Sequence, residues 1–194
     1  MVGGCIGHIF VAVVPQGLTE NADVKRLVGK LKRTFKEKSI EARWTHPDLW
    51  HVTVQFLGEL SDDRKSDLVT AVSEWRPDVS ELRLSLHTLG GFPTSEQARV
   101  LWLGVHQNQG FLDLQSSLAA HLAVKGFGEE EREFRPHLTL ARIRNPRSIT
   151  DLVGLAGRKQ WGDFPVTELI VFESVLQGNI IRYLPLARQA LSKG

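Results

Sequence analysis

Two short stretches constrain this chain more than anything else in it. "WHVTVQFLGEL" (Trp50 to Leu60) and "PHLTLARIR" (Pro136 to Arg144) carry the same interruption of an aliphatic run. His51 and Thr53 alternate with Val52 and Val54; His137 and Thr139 alternate with Leu138 and Leu140. Alternation with period two is the mark of a β-strand with one buried face, and residues i and i+2 then lie roughly 6.6 Å apart on the other. Each strand therefore buries its aliphatic residues and presents a His/Thr pair. The second copy comes nearly half a chain length after the first, as expected if two similar lobes set their strands side by side and turn both pairs into one cleft.

The rest of the sequence supplies a mixed fold around these strands. "HIFVAVV" reads as a buried strand closed by Pro15. Val24, Leu27, Val28, Leu31 and Phe35 recur at helical spacing. A second helix is expected after Ser61, with Leu68, Val72 and Trp75 on one face and Pro77 as its stop. "ELRLSLHTL" alternates like a strand, "GGFP" is expected to break it, and "RVLWLGV" is another strand. Phe111, Leu114, Leu118 and Leu122 give a third helix with Gly126 as C-cap. The acidic "EEERE" is expected to be a solvated loop. A short helix spans Ile149 to Leu155, and two closing strands, "VTELIVFESVL" and "IIRYLPL", flank a turn at Gly178-Asn179. This is an α+β pattern with much antiparallel pairing. No composition shift divides it, so residues 1–194 are expected to form a single bilobed domain.

Composition excludes several classes. The chain is ordinarily globular, with 42% hydrophobic and 24% charged residues. A net charge of +2 and a pI near 8.8 permit an anionic partner without indicating bulk nucleic-acid binding. Cys5 is the one cysteine, so no intrachain disulfide or cysteine-based zinc site can form, which favours a reducing, cytoplasmic setting. The opening apolar run has no basic segment before it and is too short to span a membrane, so no membrane association is expected. Gly-x-Ser-x-Gly, the phosphate-binding Gly-x-x-x-x-Gly-Lys and His-Glu-x-x-His are all missing.

Two histidines in one cleft suit paired proton transfer: near neutral pH one can accept a proton while the other donates. The threonine hydroxyls can donate to a phosphate. The natural reaction is in-line displacement at a phosphodiester, with one histidine activating water and the other protonating the departing oxygen. No metal or cofactor is required, since threonine and arginine donors can offset the developing charge. The other five histidines, His8, His46, His87, His106 and His121, have no repeated context and read as structural or solvated.

These residues resemble the two-histidine phosphoesterase superfamily, and within it the RNA 2′,3′-cyclic phosphodiesterases also called 2′–5′ RNA ligases. The defining paired motifs are "HVTV" and "HLTL"; "IFVAVVP", "FLGEL", "GGFP", "RVLWLGV" and "VFESVLQGNIIRYLPL" extend the likeness over nearly the whole chain. The resemblance implies two mainly antiparallel sheets related by a pseudo-twofold around a central cleft, with helices outside. It implies metal-independent opening of a 2′,3′-cyclic phosphate to a 2′-phosphate, with RNA as the partner; some members join or cleave 2′–5′ linkages in tRNA fragments. A monomer is expected.

By motif match the resemblance makes His51, Thr53, His137 and Thr139 the catalytic quartet. His51 is the proton donor to O3′ and His137 the acceptor, an assignment the near-symmetric motifs do not make alone. It also makes Arg142 a phosphate ligand and Phe56 a base-stacking aromatic. Both lie five residues after their histidine, which strict alternation puts on the opposite face, so both roles need twist, a bulge or a strand end. Otherwise Phe56 is a core residue and Arg142 a solvated one. His8 departs from the family's usual basic residue ahead of the first strand, which weakens a phosphate contact there or makes it pH-dependent. Three rivals stand beside this reading: a non-catalytic RNA-end binder of the same fold, a metal hydrolase using the same histidines, and a phosphodiesterase acting on a non-RNA cyclic phosphate.

Overall fold

The computed structural model describes residues 7–79, 82–106, 109–128, 133–156, 160–178 and 180–191. Cys5, residues 129–132 of the acidic run and Asn179 lie outside them. The elements run β1 (His8–Val13), α1 (Ala22–Glu37), β2 (Ala42–Trp44), β3 (Val52–Glu59), α2 (Asp62–Glu74), β4 (Leu82–Phe92), β5 (Ala98–Val105), α3 (Gln109–Val124), β6 (His137–Arg147), α4 (Thr150–Ala156), β7 (Gln160–Val166), β8 (Glu168–Gln177) and β9 (Ile180–Ala190). The mixed, mainly antiparallel fold read from the sequence is the fold observed.

The helices form where their apolar stripes and caps dictate. Asn21 accepts from the Val24 amide at 2.9 Å and starts α1, which buries Val24, Leu27, Leu31 and Phe35. Ser61 caps α2, and Leu68, Ala71 and Val72 face inward. α3 buries Phe111, Leu114, Leu118 and Leu122, and Gly126 follows it with a φ of 78°, where a side chain would be strained. Among the described residues no helix is long and apolar enough to cross a membrane.

The strands are ordered β7-β4-β5-β6-β3-β1-β8-β9, every pairing antiparallel. Two four-stranded halves are visible in that order. They meet between β3 and β6 through a single register pair, Val52 with Leu138. Those are the middle residues of the two His/Thr motifs, so the junction lies at the pseudo-twofold. β3 and β6 splay apart beyond this pair, and β2 takes up the edge of β6 that is left open, with Trp44 opposite Ala141. Val52, Val54, Leu138 and Leu140 are all buried in a core that continues through both halves. The other face of β1 carries a small apolar cluster of Phe10, Ala12, Ile170 and Phe172, with Tyr183 packed on it.

Three features differ from the sequence reading. β4 does not break at Gly90 and Gly91 but runs on to Phe92. Gly90 lies opposite Trp102, and a Cβ there would sit 2.3 Å from the indole ring, so glycine is what lets the ring lie flat across the strand. β7 is an additional strand that Gly162 and Pro165 disguise; proline is tolerated because β7 is the edge of its half. β2 has only three residues and no pattern of its own.

Candidate active site

The chain folds His51 and His137 into near-identical settings. In each, the ring Nδ1–H donates to the carbonyl two residues earlier: His51 to Leu49 at 2.8 Å, His137 to Arg135 at 2.7 Å. A carbonyl only accepts, so both rings carry their proton on Nδ1 and leave Nε2 as a lone-pair acceptor. For His51 the carbonyl comes from a 3-10 turn at Pro47–Leu49, whose entry His46 caps.

Each ring also leans on aromatic residues of its own half. Phe10 lies 5.0 Å from the His51 ring and Tyr183 meets it edge-on at 5.1 Å. Phe92 meets His137 edge-on at 4.8 Å, and Trp102 lies 6.3 Å away. Sequence reasoning missed all four. Trp102 alone carried a signal, as the half-buried residue between the buried Leu101 and Leu103, whereas Phe10 sits inside an unbroken apolar run.

This apolar bedding sets the electrostatics. Burial pushes the His51 imidazole down to about 4, reinforced by the charges of His137 and Arg142 and only partly offset by the bond to Leu49. Burial also lowers His137, again against its backbone bond and with help from Arg142. At neutral pH the free protein therefore presents two uncharged imidazoles beside a guanidinium.

Thr53 and Thr139 are half-buried beside their histidines, and neither hydroxyl has a hydrogen-bond partner among the described residues. The two i+5 residues reach the same face by the same device. The register of β1 on β3 passes from Ala12 opposite Thr53 to Val11 opposite Gln55, skipping Val54. The register of β5 on β6 passes from Trp102 opposite Thr139 to Leu101 opposite Ala141, skipping Leu140. The fourth residue of each motif is thus a bulge. It turns two successive residues inward and resets the alternation. Gln55 and Ala141 are buried, while Phe56 is 40% exposed and Arg142 is exposed. Phe56 is not a core residue, and Arg142 lies near enough to both histidines to depress both.

His8 is engaged elsewhere. Its ring meets Phe56 edge-on at 5.3 Å, its Nε2 lies 3.4 Å from Glu59, and its Nδ1 is buried without a hydrogen-bond partner among the described residues. The remaining histidines have structural roles. His121 bonds the Ala71 carbonyl at 2.8 Å, and His87 bonds Thr88 and meets His106 edge-on at 5.5 Å. Among the described residues, no three His, Cys, Asp or Glu side chains gather as a metal site would require. Beside Arg142 a cleft of about 560 Å³ opens, bounded by β2, the middle of β6 and the first residues of β9.

A family model described as the 2′-5′ RNA ligase superfamily matches residues 15–176. The RNA 2′,3′-cyclic phosphodiesterase of Aeropyrum pernix is 30% identical over 175 residues, covering 86% of this chain and 98% of its own. The RNA 2′,3′-cyclic phosphodiesterase of Methanothermobacter thermautotrophicus is 28% identical over 171 residues, covering 86% and 89%. Among solved structures, Escherichia coli LigT in its apo form superposes with a TM-score of 0.72 at 26% identity, covering 96% of this chain and 98% of that one.

Proposed function

The chain belongs to the 2′-5′ RNA ligase superfamily, and from that premise we propose that it hydrolyses the 2′,3′-cyclic phosphate at RNA ends to a 2′-phosphate, with His51 as acid and His137 as base. The observation that carries this reading is the pair of imidazoles, each tied through Nδ1 to a carbonyl so that both Nε2 atoms are left for chemistry. The curated relatives, named for this activity over most of their length, support the substrate.

In the proposed step His137 Nε2 takes a proton from water as its oxygen attacks phosphorus. The P–O3′ bond breaks on the opposite side, and His51 Nε2–H protonates O3′. Thr53, Thr139 and Arg142 donate to the non-bridging oxygens, and Phe56 stacks the base. One proton must reside on the pair, on His51. In the free protein His51 is the ring driven further from its ordinary value, down to about 4, so the phosphate anion has to draw that proton onto it. A 5′-hydroxyl in place of water would form a 2′–5′ linkage by the same in-line path, with tRNA fragments as the fitting substrates. The reading includes a metal-free reaction by a monomeric, single-domain protein. The one cysteine of the sequence fits a cytoplasmic setting.

The test is incubation of the purified protein with the four nucleoside 2′,3′-cyclic phosphates in EDTA. Nucleoside 2′-phosphates are the expected products. Exclusive 3′-phosphate would overturn the choice of leaving oxygen, and tight binding without turnover would leave an RNA-end binder.

A further inference from the structure

The pairing of β2 with β6 sets Arg43 directly opposite Arg142. Like charges directly opposed on a sheet are destabilising. Neither guanidinium has a carboxylate partner among the described residues. The next cation on that face of β6 is treated differently: Arg144 is held by Glu41 at 2.8 Å. One charge at this edge is neutralised by the protein and two are left facing each other, an arrangement that an anion between or beside them would relieve.

The two arginines border the cleft of about 560 Å³, a volume in the range of small-molecule sites. Its opposite wall is apolar, formed by Ile180 and Ile181, and Ile180 is 57% exposed with no core to cover. Leu49 and Tyr183, the neighbours of His51, line this cleft, whereas Phe92 and Trp102, the neighbours of His137, do not. A cationic edge facing an apolar wall fits a phosphodiester attached to a base.

We infer that this cleft is a subsite for a second nucleotide, the one on the 5′ side of the nucleotide bearing the cyclic phosphate. Arg43 pairs with the internucleotide phosphate, and the upstream base lies against Ile181. The inference rests on the function proposed above, in which His51 holds the ribose side of the reacting phosphate; the chain leaving that ribose toward its 5′ end then enters the cleft next to His51. It makes the enzyme favour RNA chains over free cyclic mononucleotides.

The experiment compares kcat/KM for a dinucleotide ending in a 2′,3′-cyclic phosphate with that for the corresponding cyclic mononucleotide. Wild type, Arg43→Ala and Ile181→Ser are measured at low and at moderate salt. Wild type should favour the dinucleotide by about tenfold, the scale of one charge-assisted contact, and less so as salt rises. Both variants should bring the ratio close to one while mononucleotide turnover stays within about twofold of wild type. Arg43→Ala should unfold at or above the wild-type temperature, because it removes a like-charge pair; a purely structural Arg43 would lower that temperature. Equal wild-type turnover of the two substrates overturns the subsite. A parallel loss on both substrates in Arg43→Ala also overturns it and assigns Arg43 to the reacting phosphate. Failure of the function reading looks different: wild type then turns over neither substrate.

Discussion

Protonation of His51 should weaken the fold measurably as pH falls. An unfolded chain binds that proton near 6.5, whereas the folded protein resists it until about 4, because Phe10, Tyr183 and the neighbouring strands exclude the water that would solvate an imidazolium. Between those values the unfolded state holds more protons, so stability falls with falling pH across the window and is unaffected by this group above it. A displacement of this size corresponds to roughly 3 kcal/mol once both limits are passed, and to slightly less at pH 4.5. His137 is lowered in the same direction, so the comparison needs a reference that removes His51 alone. His51→Phe keeps a ring among the aromatic neighbours and cannot titrate. Urea unfolding of both proteins at pH 7.5 and pH 4.5 isolates the difference. Wild type should lose roughly 2–3 kcal/mol more than His51→Phe between the two conditions. Parallel losses, equal within about 0.5 kcal/mol, would refute the claim that burial holds His51 neutral.

Other perturbations reach the same site by different routes. Gly90→Ala should push the Trp102 ring about 1 Å toward Phe92 and His137, since a Cβ would sit 2.3 Å from it, and kcat should drop by about 10² with the fold retained by circular dichroism; turnover within threefold of wild type would separate Trp102 from His137. Arg142→Lys keeps the charge but loses the planar fork, so steady-state kinetics should show clear impairment, and wild-type values would return Arg142 to a solvated role. Because burial lowers both histidines, kcat/KM should be highest below pH 6.5 and fall as pH rises, while phosphate binding extends kcat to higher pH; a kcat/KM optimum above pH 7.5 would contradict the protonation scheme. Turnover should survive prolonged EDTA treatment, and recovery of lost activity on adding zinc or magnesium would overturn the metal-free step.

The parts of the site legible in the sequence are those written by local geometry. His51 with Thr53, and His137 with Thr139, could be assigned to one face because a strand alternates with period two whatever surrounds it. Phe56 and Arg142 could not, because their orientation depends on the residue that each neighbouring strand skips, Val54 against β1 and Leu140 against β5. That information lies in β1 and β5, far away in the chain. The aromatic bedding was hidden for the same reason: Phe10, Tyr183, Phe92 and Trp102 come from four strands, and only the sheet order brings them to the histidines. Gly90 reads as a break until its partner across β5 is known to be a tryptophan. β7 fails the strand pattern because an edge strand tolerates Pro165 and Gly162 where a central one would not.

The division of labour between His51 and His137 is tested most directly with an RNA substrate whose leaving O3′ is replaced by sulfur. Sulfur departs with little need of a proton, so the acid becomes dispensable while the base does not. His51→Ala and His137→Ala should each slow the oxygen substrate by about 10²–10⁴. On the sulfur substrate His51→Ala should regain most of its lost rate and His137→Ala should remain slow. Equal recovery of the two variants, or recovery of neither, would contradict paired acid–base catalysis by these histidines.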